Sequence, residues 1–428
     1  MSSRVLSGRA NQTVRNLDVP WRFCPPTTYD PDTNPDGLIS FAYAENKLVE
    51  HDLEAFAQRV RIPGHALNTY GYSAGGGAEL PSAIAAHLNE HFNPYTPLSG
   101  TDVRVTASAT ALHEMLGWAV GDPGDCVLLS KPVYGRLEVD FGNKVELQVV
   151  YAETASRPES CFEEGVVRDF EAALADAARN GIRIRALMIV NPHNPLGRCY
   201  TRPALVALMR FCQRHRLHLI SDEVYGCSVH TPHHPTLLPF TSALSVDPTD
   251  IIDPELLHVT YGLSKDFGAA GLRLGALITR SRALQDAVQC VTRFHSPSGP
   301  SVALGAAMLR DRAWCNGFLE TSRARIAAAY KHATEGLAAM GIKYLEANAG
   351  FFVYIDLSPY IDHQPRRGSG QSYDADYALT QKFVDQGVFL QPGEEHGLPG
   401  WFRFVFTQDP RTVTEGLRRM KKVLDVVA

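Results

Sequence analysis

From residue 103 to about residue 287 the chain alternates between short apolar runs and segments with helical periodicity. This alternation is the signature of a mostly parallel sheet covered by helices, because each parallel strand needs a crossover to return to the same edge. The predicted strands are 103–107, 126–130, 145–151, 186–190, 217–221, 257–261 and 274–279. The predicted helices are 80–91, 111–120, 134–141, 168–180 and 202–214. Ligands of such sheets bind beyond the carboxyl ends of the strands, so the residues that follow each strand are the first candidates for a site.

The pattern changes after residue 300. A long helical region over 302–341 is followed by predicted strands at 350–356, 388–391 and 401–407 and by a helix at 374–386 between the first two of them. We expect residues 38–60 and 301–428 to form a smaller α/β domain beside a large domain of residues 61–300. Residues 1–37 are rich in polar residues and proline, which predicts an extended amino-terminal arm.

The composition argues against several classes of partner. The 46 Asp and Glu residues outnumber the 41 Lys and Arg residues, so no basic excess indicates nucleic acid or an anionic membrane. No apolar run reaches the ~20 residues of a membrane helix, and the first residues lack a signal-peptide core, so we expect a cytoplasmic protein. The eight cysteines form no Cys-x-x-Cys pair, and the histidine-rich segment 229–235 has no regular ligand spacing, so no metal site is expected.

Residues 261–275 carry one lysine, Lys265, and one arginine, Arg273, on a glycine-rich turn after a predicted buried strand. A lysine amine at the mouth of a sheet can form a Schiff base with a carbonyl cofactor, and a nearby guanidinium can bind a phosphate. Pyridoxal 5′-phosphate carries both groups. The alternative, two solvated cations on a flexible loop, is equally compatible with this segment taken alone.

Three further strand ends carry residues that this cofactor needs. Asn194 follows the fourth predicted strand and can donate to the phenolate oxygen of the cofactor. Asp222 and Tyr225 follow the fifth, where a carboxylate would keep the pyridine nitrogen protonated and a tyrosine would share the phenolate. Ala109 and Thr110 begin a helix after the first strand, where backbone N–H groups suit a phosphate. Each residue could instead be an ordinary turn or cap residue, but their agreement across four elements favours a cofactor site.

This constellation also predicts which residues are catalytic. A protonated pyridine ring is an electron sink for a carbanion at the α-carbon of the substrate, so Asp222 would control the electronic state of the ring. Once the substrate amine has displaced Lys265 from the cofactor, the free lysine amine would be placed to remove the α-proton. Lys265, Asp222 and Tyr225 are therefore the predicted catalytic residues.

A set of short motifs runs along nearly the whole chain. They are Ala44-Glu-Asn46, Tyr70, Ala109-Thr110, Pro132-Val-Tyr134, Asn191-Pro-His-Asn-Pro-Leu-Gly197, Ser221-Asp-Glu-Val-Tyr225, Leu263-Ser-Lys-Asp-Phe-Gly268 with Arg273, and Gly400-Trp-Phe-Arg403. Together they resemble the fold-type I aminotransferase superfamily of pyridoxal phosphate enzymes, and within it the branch of 1-aminocyclopropane-1-carboxylate synthase and its fungal relatives. The resemblance implies an α/β fold, with a mostly parallel seven-stranded sheet in the large domain, and a homodimer.

The resemblance also implies roles for residues whose types alone indicate little. Tyr134 would stack on the cofactor ring, and Tyr70 would reach the phosphate in the active site of the other subunit. Arg403 would bind the substrate α-carboxylate with both prongs of its guanidinium, with Glu45 and Asn194 near the substrate. Without the motifs, the two tyrosines would be read as core or loop aromatics, and the arginine as a cation at a strand edge.

The motifs depart from that branch in three places. Gly262 stands where the family has a phosphate-binding serine, three residues before the lysine, and Ala111 replaces a glycine of the phosphate loop. After Tyr70, the family pattern His-Gly-Leu-Pro is replaced by Gly-Tyr-Ser-Ala-Gly-Gly-Gly. These departures leave the cofactor chemistry intact and argue against a fixed specificity for adenosylmethionine.

Two reactions remain open. A lyase would expel a sulfur leaving group from the side chain, either by ring closure of adenosylmethionine or by carbon–sulfur cleavage of a cysteine-type conjugate. An aminotransferase would leave the amino group on the cofactor and release a 2-oxo acid. Both use the same residues, but Ala44-Glu-Asn46 and the Lys265 motif resemble the synthase branch most closely, which favours the lyase. A third hypothesis, a catalytically silent protein that binds a partner, is opposed by the presence of Lys265, Asp222 and Arg403.

Overall fold

The computed structural model describes residues 5–154, 161–231, 233–361 and 374–427. Their α-helices are α1 Gly8–Val14, α2 Glu50–Arg59, α3 Gly64–Asn68, α4 Leu80–His91, α5 Ala109–Val120, α6 Leu137–Gly142, α7 Val167–Arg179, α8 Arg202–His215, α9 Arg282–Val291, α10 Gly299–Arg310, α11 Arg312–Ala339, α12 Asp374–Asp385 and α13 Pro410–Val427. Their strands are β1 Ile39–Ser40, β2 Val103–Thr106, β3 Cys126–Ser130, β4 Gln148–Ala152, β5 Ile184–Val190, β6 His218–Asp222, β7 Leu257–Gly262, β8 Gly275–Thr279, β9 Lys343–Leu345, β10 Phe352–Asp356, β11 Val388–Phe389 and β12 Trp401–Val405.

The large sheet has seven strands in the order β2-β8-β7-β6-β5-β3-β4. Strands β3 to β7 pair in parallel, and β8 is antiparallel to both of its neighbours. The prediction of a mostly parallel seven-stranded sheet is confirmed, and each predicted strand lies within three residues of its observed bounds. Strands such as β5 and β8 are buried along almost their whole length, as expected for a sheet covered on both faces.

The order of the strands brings the candidate residues to one edge of this sheet. Val190, Asp222 and Thr260 lie side by side at the ends of β5, β6 and β7. Because β8 runs antiparallel, Gly275 at its beginning pairs with Gly262 at the end of β7, and the turn that joins them stays at the same edge. The register of the sheet therefore fixes where the turn with Lys265 and Arg273 must lie.

A second, smaller group of strands lies outside this sheet. Strands β9, β10 and β12 form an antiparallel sheet in the order β12-β10-β9, and β1 pairs in parallel with β11. Their buried side chains form a core of their own, in which Phe41 packs on Phe404 with ring centroids 4.2 Å apart. The early strand β1 thus joins elements from the end of the chain. The boundaries at residues 61 and 300 stay a prediction.

Local structure differs from the sequence prediction in three places. The predicted extended arm contains the short helix α1. The predicted helical region 302–341 is two helices, because Asp311 ends the first and its carboxylate accepts from the N–H of Trp314 as the amino-terminal cap of the second. The helical spacing of residues 52–60 predicts α2, whereas α3, α9 and α13 were not predicted. None of the helices in the described ranges combines the length and the apolar character that crossing a membrane requires.

Candidate active site

A cavity of about 400 Å³ opens at the carboxyl ends of β5, β6 and β7. The predicted site residues that line it are Glu45, Ala109, Thr110, Tyr134, Asn194, Asp222, Tyr225, Lys265, Arg273 and Arg403. Tyr70 is placed elsewhere, and its side chain is fully exposed. The fold thus gathers all of the predicted residues except the one that was expected to act in another subunit.

The carboxylate of Asp266 anchors the turn that carries Lys265 through three hydrogen bonds. This buried carboxylate accepts from the hydroxyl of Ser228 at 2.5 Å, from the N–H of Cys227 at 2.9 Å and from the hydroxyl of Tyr261 at 3.0 Å. These bonds connect the turn after β7 to the segment that follows β6. Lys265 is therefore positioned by its neighbour in sequence.

The amine of Lys265 faces the cavity in an environment that favours its neutral form. Its Nζ donates to the carbonyl oxygen of Ala44 at 2.7 Å. Burial, and then the positive charge of Arg403, lower the pKa of the amine to about 8, although Glu45 and Asp222 oppose this change. A larger share of the amine is thus neutral near physiological pH than in an exposed lysine, which both a nucleophile and a base require.

Asp222 is buried at the end of β6 and faces a histidine that the sequence analysis missed. The hydroxyl of Thr260 donates to Asp222 Oδ1 at 3.0 Å, and His113 Nε2 lies 4.0 Å from Asp222 Oδ2. The other nitrogen of His113, Nδ1, is 2.8 Å from Asp140 Oδ2. Burial raises the pKa of Asp222, and the charge of His113 opposes that rise. The imidazole therefore links two carboxylates, of which only Asp222 lines the cavity.

The environment of His113 favours its protonated form, whose positive charge compensates the carboxylates of Asp140 and Asp222. Burial alone would lower its pKa, but the hydrogen bond and charge of Asp140 and the charge of Asp222 raise the pKa overall. Its Nε2 is buried and has no hydrogen-bond partner in the described part of the chain. His113 lies four residues after Ala109, on the same face of α5, so helical spacing could have indicated it. Asp140 comes from α6, and no motif marks it.

Arg403 and Asn194 orient one another at the opposite side of the cavity. Arg403 is buried on β12, and its Nη1 donates to Asn194 Oδ1 at 3.0 Å, while its Nη2 donates to the carbonyl oxygen of Ala42. Its Nε is buried and has no hydrogen-bond partner within the described ranges. Because the amide oxygen of Asn194 is engaged, its amide nitrogen is the atom left to donate into the cavity. A buried guanidinium with spare donors is suited to a carboxylate.

The backbone is closely packed at Gly262 and at Gly275, which pair with each other at the ends of β7 and β8. A Cβ atom at Gly262 would lie 2.7 Å from the carbonyl oxygen of Leu274, and one at Gly275 would lie 2.4 Å from the carbonyl carbon of Ser108. Side chains at these two paired positions would push the backbone apart. A side chain at Gly262, such as the family's serine, would require the backbone at Leu274 to move. Arg273, which adopts a φ of +52° at the same edge, is exposed.

Further residues line the cavity although no motif indicated them: Phe23, Cys24, Tyr43, Arg136 and Gln391. Two of these come from the predicted amino-terminal arm, which therefore covers part of the site. The hydroxyl of Tyr43 donates to the carbonyl oxygen of Cys24 at 2.6 Å, which ties the arm to the segment after β1. The sequence gives no signal for this contact, because it depends on how a proline-rich segment packs.

The donor set fits pyridoxal 5′-phosphate. The lysine amine of Lys265, whose pKa is lowered, matches the carbonyl group of the cofactor. The buried carboxylate of Asp222 matches the pyridine nitrogen, and the amide of Asn194 and the hydroxyl of Tyr225 match the phenolate oxygen. The start of α5 and an arginine lie on the same cavity, which suits a phosphate. His113 Nε2 lies 4.0 Å from Asp222, and its charge opposes the rise in the pKa of this carboxyl, which favours the ionised form that would pair with the pyridine nitrogen.

Comparisons with known proteins identify the family of this chain. The model of the family described as aminotransferase class I and II matches residues 40–420. Human 1-aminocyclopropane-1-carboxylate synthase-like protein 1 is 33% identical over 411 residues, covering 92% of this chain and 78% of that protein. A 1-aminocyclopropane-1-carboxylate synthase of Glycine max is 28% identical over 419 residues, covering 94% and 83%. The solved aromatic aminotransferase from Pyrococcus horikoshii has the same fold, with a TM-score of 0.74 at 21% identity over 93% of this chain and 96% of that one.

Proposed function

The chain belongs to the aminotransferase class I and II family and is a pyridoxal phosphate-dependent enzyme, and from this premise we propose that it is a lyase acting on an α-amino acid. The lyase would expel a sulfur leaving group from the substrate side chain, as in adenosylmethionine or a cysteine-type conjugate. The observation that carries the proposal is the placement of the Lys265 amine and the Arg403 guanidinium on one cavity. Similarity to synthase and synthase-like relatives supports elimination over the alternative, an aminotransferase.

Arg403 would bind the substrate α-carboxylate. Its bonds to Asn194 and Ala42 hold the plane of the guanidinium, so the α-carboxylate would meet a fixed pair of donors. Fixing the carboxylate also fixes where the α-carbon lies relative to Lys265. Orientation of this kind lowers the barrier, because the reacting atoms are held together before reaction begins.

Lys265 would remove the α-proton. Its pKa of about 8 allows the neutral amine to be present near physiological pH, and Asp266 holds the turn that carries it. When bound, pyridoxal phosphate supplies the electron sink that stabilises negative charge at the α-carbon. Asp222 would hold the pyridine nitrogen. Tyr134, Asn194 and Tyr225 would hold the ring and its oxygen. The phosphate would be held by Ala109, Thr110 and Arg273.

A homodimer would complete the site. Tyr70 is fully exposed and lies away from the cavity of its own subunit, which supports a role at the phosphate of a neighbouring subunit. Leu67 and Phe294 are also exposed apolar side chains, which supports an interface in these regions. Sedimentation of the purified protein, with Tyr70→Phe compared for cofactor affinity, tests this part of the proposal.

The reaction is tested by incubating the holoenzyme with adenosylmethionine and with cysteine S-conjugates, and by following the spectrum of the bound cofactor together with product mass. Release of methylthioadenosine or pyruvate without an amino acceptor supports elimination. Conversion of the cofactor to its amine form, reversed by 2-oxo acids, supports the aminotransferase instead. If borohydride fixes no cofactor on Lys265 and no amino acid changes the spectrum, the proposal is wrong.

A further inference from the structure

Arg136 lines the active-site cavity two residues beyond Tyr134, and none of the roles above uses it. Its side chain is 19% exposed. Nη2 donates to Cys24 Sγ at 3.8 Å, which is a weak acceptor, and Nη1 lies 3.5 Å from Glu395 Oε2. A guanidinium has five N–H donors, so Arg136 retains donor capacity on the wall of the cavity.

Glu395 is the counter-ion of both Arg136 and Arg22. Arg22 Nη1 donates to both oxygens of Glu395, at 3.2 and 3.1 Å, and the hydroxyl of Tyr377 donates to one of them at 3.0 Å. Glu138, the second acidic neighbour of Arg22, is 3.7 Å away, and its side chain is 45% exposed. Within the described ranges, two arginines thus share one buried carboxylate, and the second acidic neighbour is half-exposed and contacts Arg22, so Glu395 compensates Arg136 only in part.

The backbone that carries Arg136 is fixed in place. The N–H of Val133 donates to the carbonyl oxygen of His396 at 3.0 Å. A Cβ atom at Gly135 would lie 1.4 Å from the carbonyl oxygen of Glu395, so only glycine permits this approach. The backbone that carries Arg136 therefore does not have to be ordered when an anion binds, which removes one cost of binding.

The other cations of the cavity already have partners in the proposed function, on which this inference rests. Arg273 is assigned to the phosphate, Arg403 to the α-carboxylate, and Lys265 to the cofactor and the α-proton. Glu45, the acidic residue at the mouth of the cavity, is exposed and so compensates Arg136 poorly. We propose that Arg136 binds an anionic group at the end of the substrate side chain. The substrate is then a cysteine-type conjugate whose sulfur substituent carries an anionic group, and the cationic sulfonium of adenosylmethionine is disfavoured.

Paired probes that differ only in the distal charge test this inference. Succinate and butyrate, which cofactor chemistry leaves unreacted, are titrated into the holoenzyme by calorimetry, and kcat/KM is compared for S-carboxymethylcysteine and its side-chain amide. We expect wild type to prefer the anionic member of each pair, and Arg136→Gln to reduce that preference by about 10- to 100-fold, as for loss of a charged hydrogen bond. Arg136→Lys should retain part of the preference, because it keeps the charge.

Arg22→Gln is the matched control, since Arg22 shares Glu395 and a similar exposure, 15%, but does not line the cavity. It should leave the preference within about threefold of wild type, because Arg22 lies outside the cavity lining and would not contact the anion. Equal binding of succinate and butyrate by wild type, or an equal loss in both variants, would overturn the inference in favour of a structural arginine cluster. If the preference depends on Arg136 but no amino acid is turned over, the proposed reaction fails and the anion site stands.

Discussion

The two sides of the active-site cavity are built in different ways. The cofactor side, with Asp222 and Lys265, consists of the ends of adjacent strands whose register places the residues next to one another. The substrate side, with Cys24, Arg136 and Arg403, is assembled from segments that lie far apart in the chain. Hydrogen-bond register in one sheet fixes the first side. The second side depends on packing between the strand that carries Arg403 and the loops that carry Cys24 and Arg136. A chain can therefore keep the chemistry of its cofactor while the substrate-facing wall changes.

The largest effect on turnover is expected at Lys265, because both the cofactor and the substrate react with this residue. Lys265→Ala removes the base and the attachment point of the cofactor, so we expect turnover to fall by at least about 10³-fold. The fold should be retained, because the amine makes a single hydrogen bond among those found within the described residues, to Ala44, and burying a lysine is itself unfavourable. Steady-state rates and thermal unfolding measure the two effects.

Lys131→Ala is the control, since Lys131 is half-buried but lies outside the cavity lining. It should leave turnover unchanged. If Lys265→Ala retains steady-state activity, Lys265 is neither the attachment point of the cofactor nor the base, and the proposed arrangement of the cofactor side is wrong.

The same division explains what could be predicted from the sequence. Asp222 and Lys265 follow apolar runs of strand length, and the carboxyl ends of parallel strands must meet, so periodicity alone places them together. Arg403 was found only through its motif. Phe23 and Cys24 could not be predicted, because they lie in a proline-rich segment without periodicity whose packing against Tyr43 is a tertiary contact.

His113 and Gly262 show two further limits of sequence reasoning. The histidine lies one helical turn after the predicted phosphate loop, but its partner, Asp140, comes from another helix, and only the fold joins them. The glycine stands out as a departure from the family pattern, but the sequence does not show that a Cβ there would lie 2.7 Å from the carbonyl oxygen of Leu274.

On the substrate side, Arg403→Lys should weaken binding more than it slows chemistry. A lysine keeps the charge but cannot make the two-pronged contact or hold Asn194 and Ala42 together. We expect KM for amino acid substrates to rise by about 10- to 100-fold, with a smaller change in kcat. Steady-state kinetics and spectral titration of the holoenzyme measure this, and an unchanged KM would count against the role of Arg403.

On the cofactor side, His113→Gln should act through Asp222. Burial raises the pKa of Asp222 and His113 opposes that rise, so removing the imidazole should raise the pKa of the carboxyl further. The ionised form of Asp222 is present above its pKa, so the pH at which the spectrum of the bound cofactor changes should move upward. Cofactor affinity near neutral pH should fall by about 10-fold, as for loss of one nearby charge.

Asp140→Asn provides a graded comparison for this prediction. It leaves the imidazole in place but removes the hydrogen bond and charge that favour its protonated form, so the spectral midpoint should move in the same direction by a smaller amount. A downward shift in either variant, or none in His113→Gln, would show that the histidine is only a packing residue.

The smallest effect is expected at Gly262, where the family's serine can be restored. Gly262→Ser places a Cβ 2.7 Å from the carbonyl oxygen of Leu274, so β7 and β8 must separate locally. We expect the free energy of unfolding to fall by about 1–3 kcal/mol, as for other overpacked sites. Denaturant unfolding and equilibrium dialysis of the cofactor measure stability and affinity.

Gly262→Ala separates the effect of the Cβ from that of the hydroxyl. If the close approach of the Leu274 carbonyl oxygen determines the effect, both variants lose the same stability. The serine variant then binds the cofactor no more tightly than the alanine variant does. If the serine variant instead matches wild type in stability and binds the cofactor more tightly, the hydroxyl has reached the phosphate and the turn has moved to admit it. The cofactor side would then be as adjustable as the substrate side, because strand register would no longer fix the backbone on which Lys265 depends.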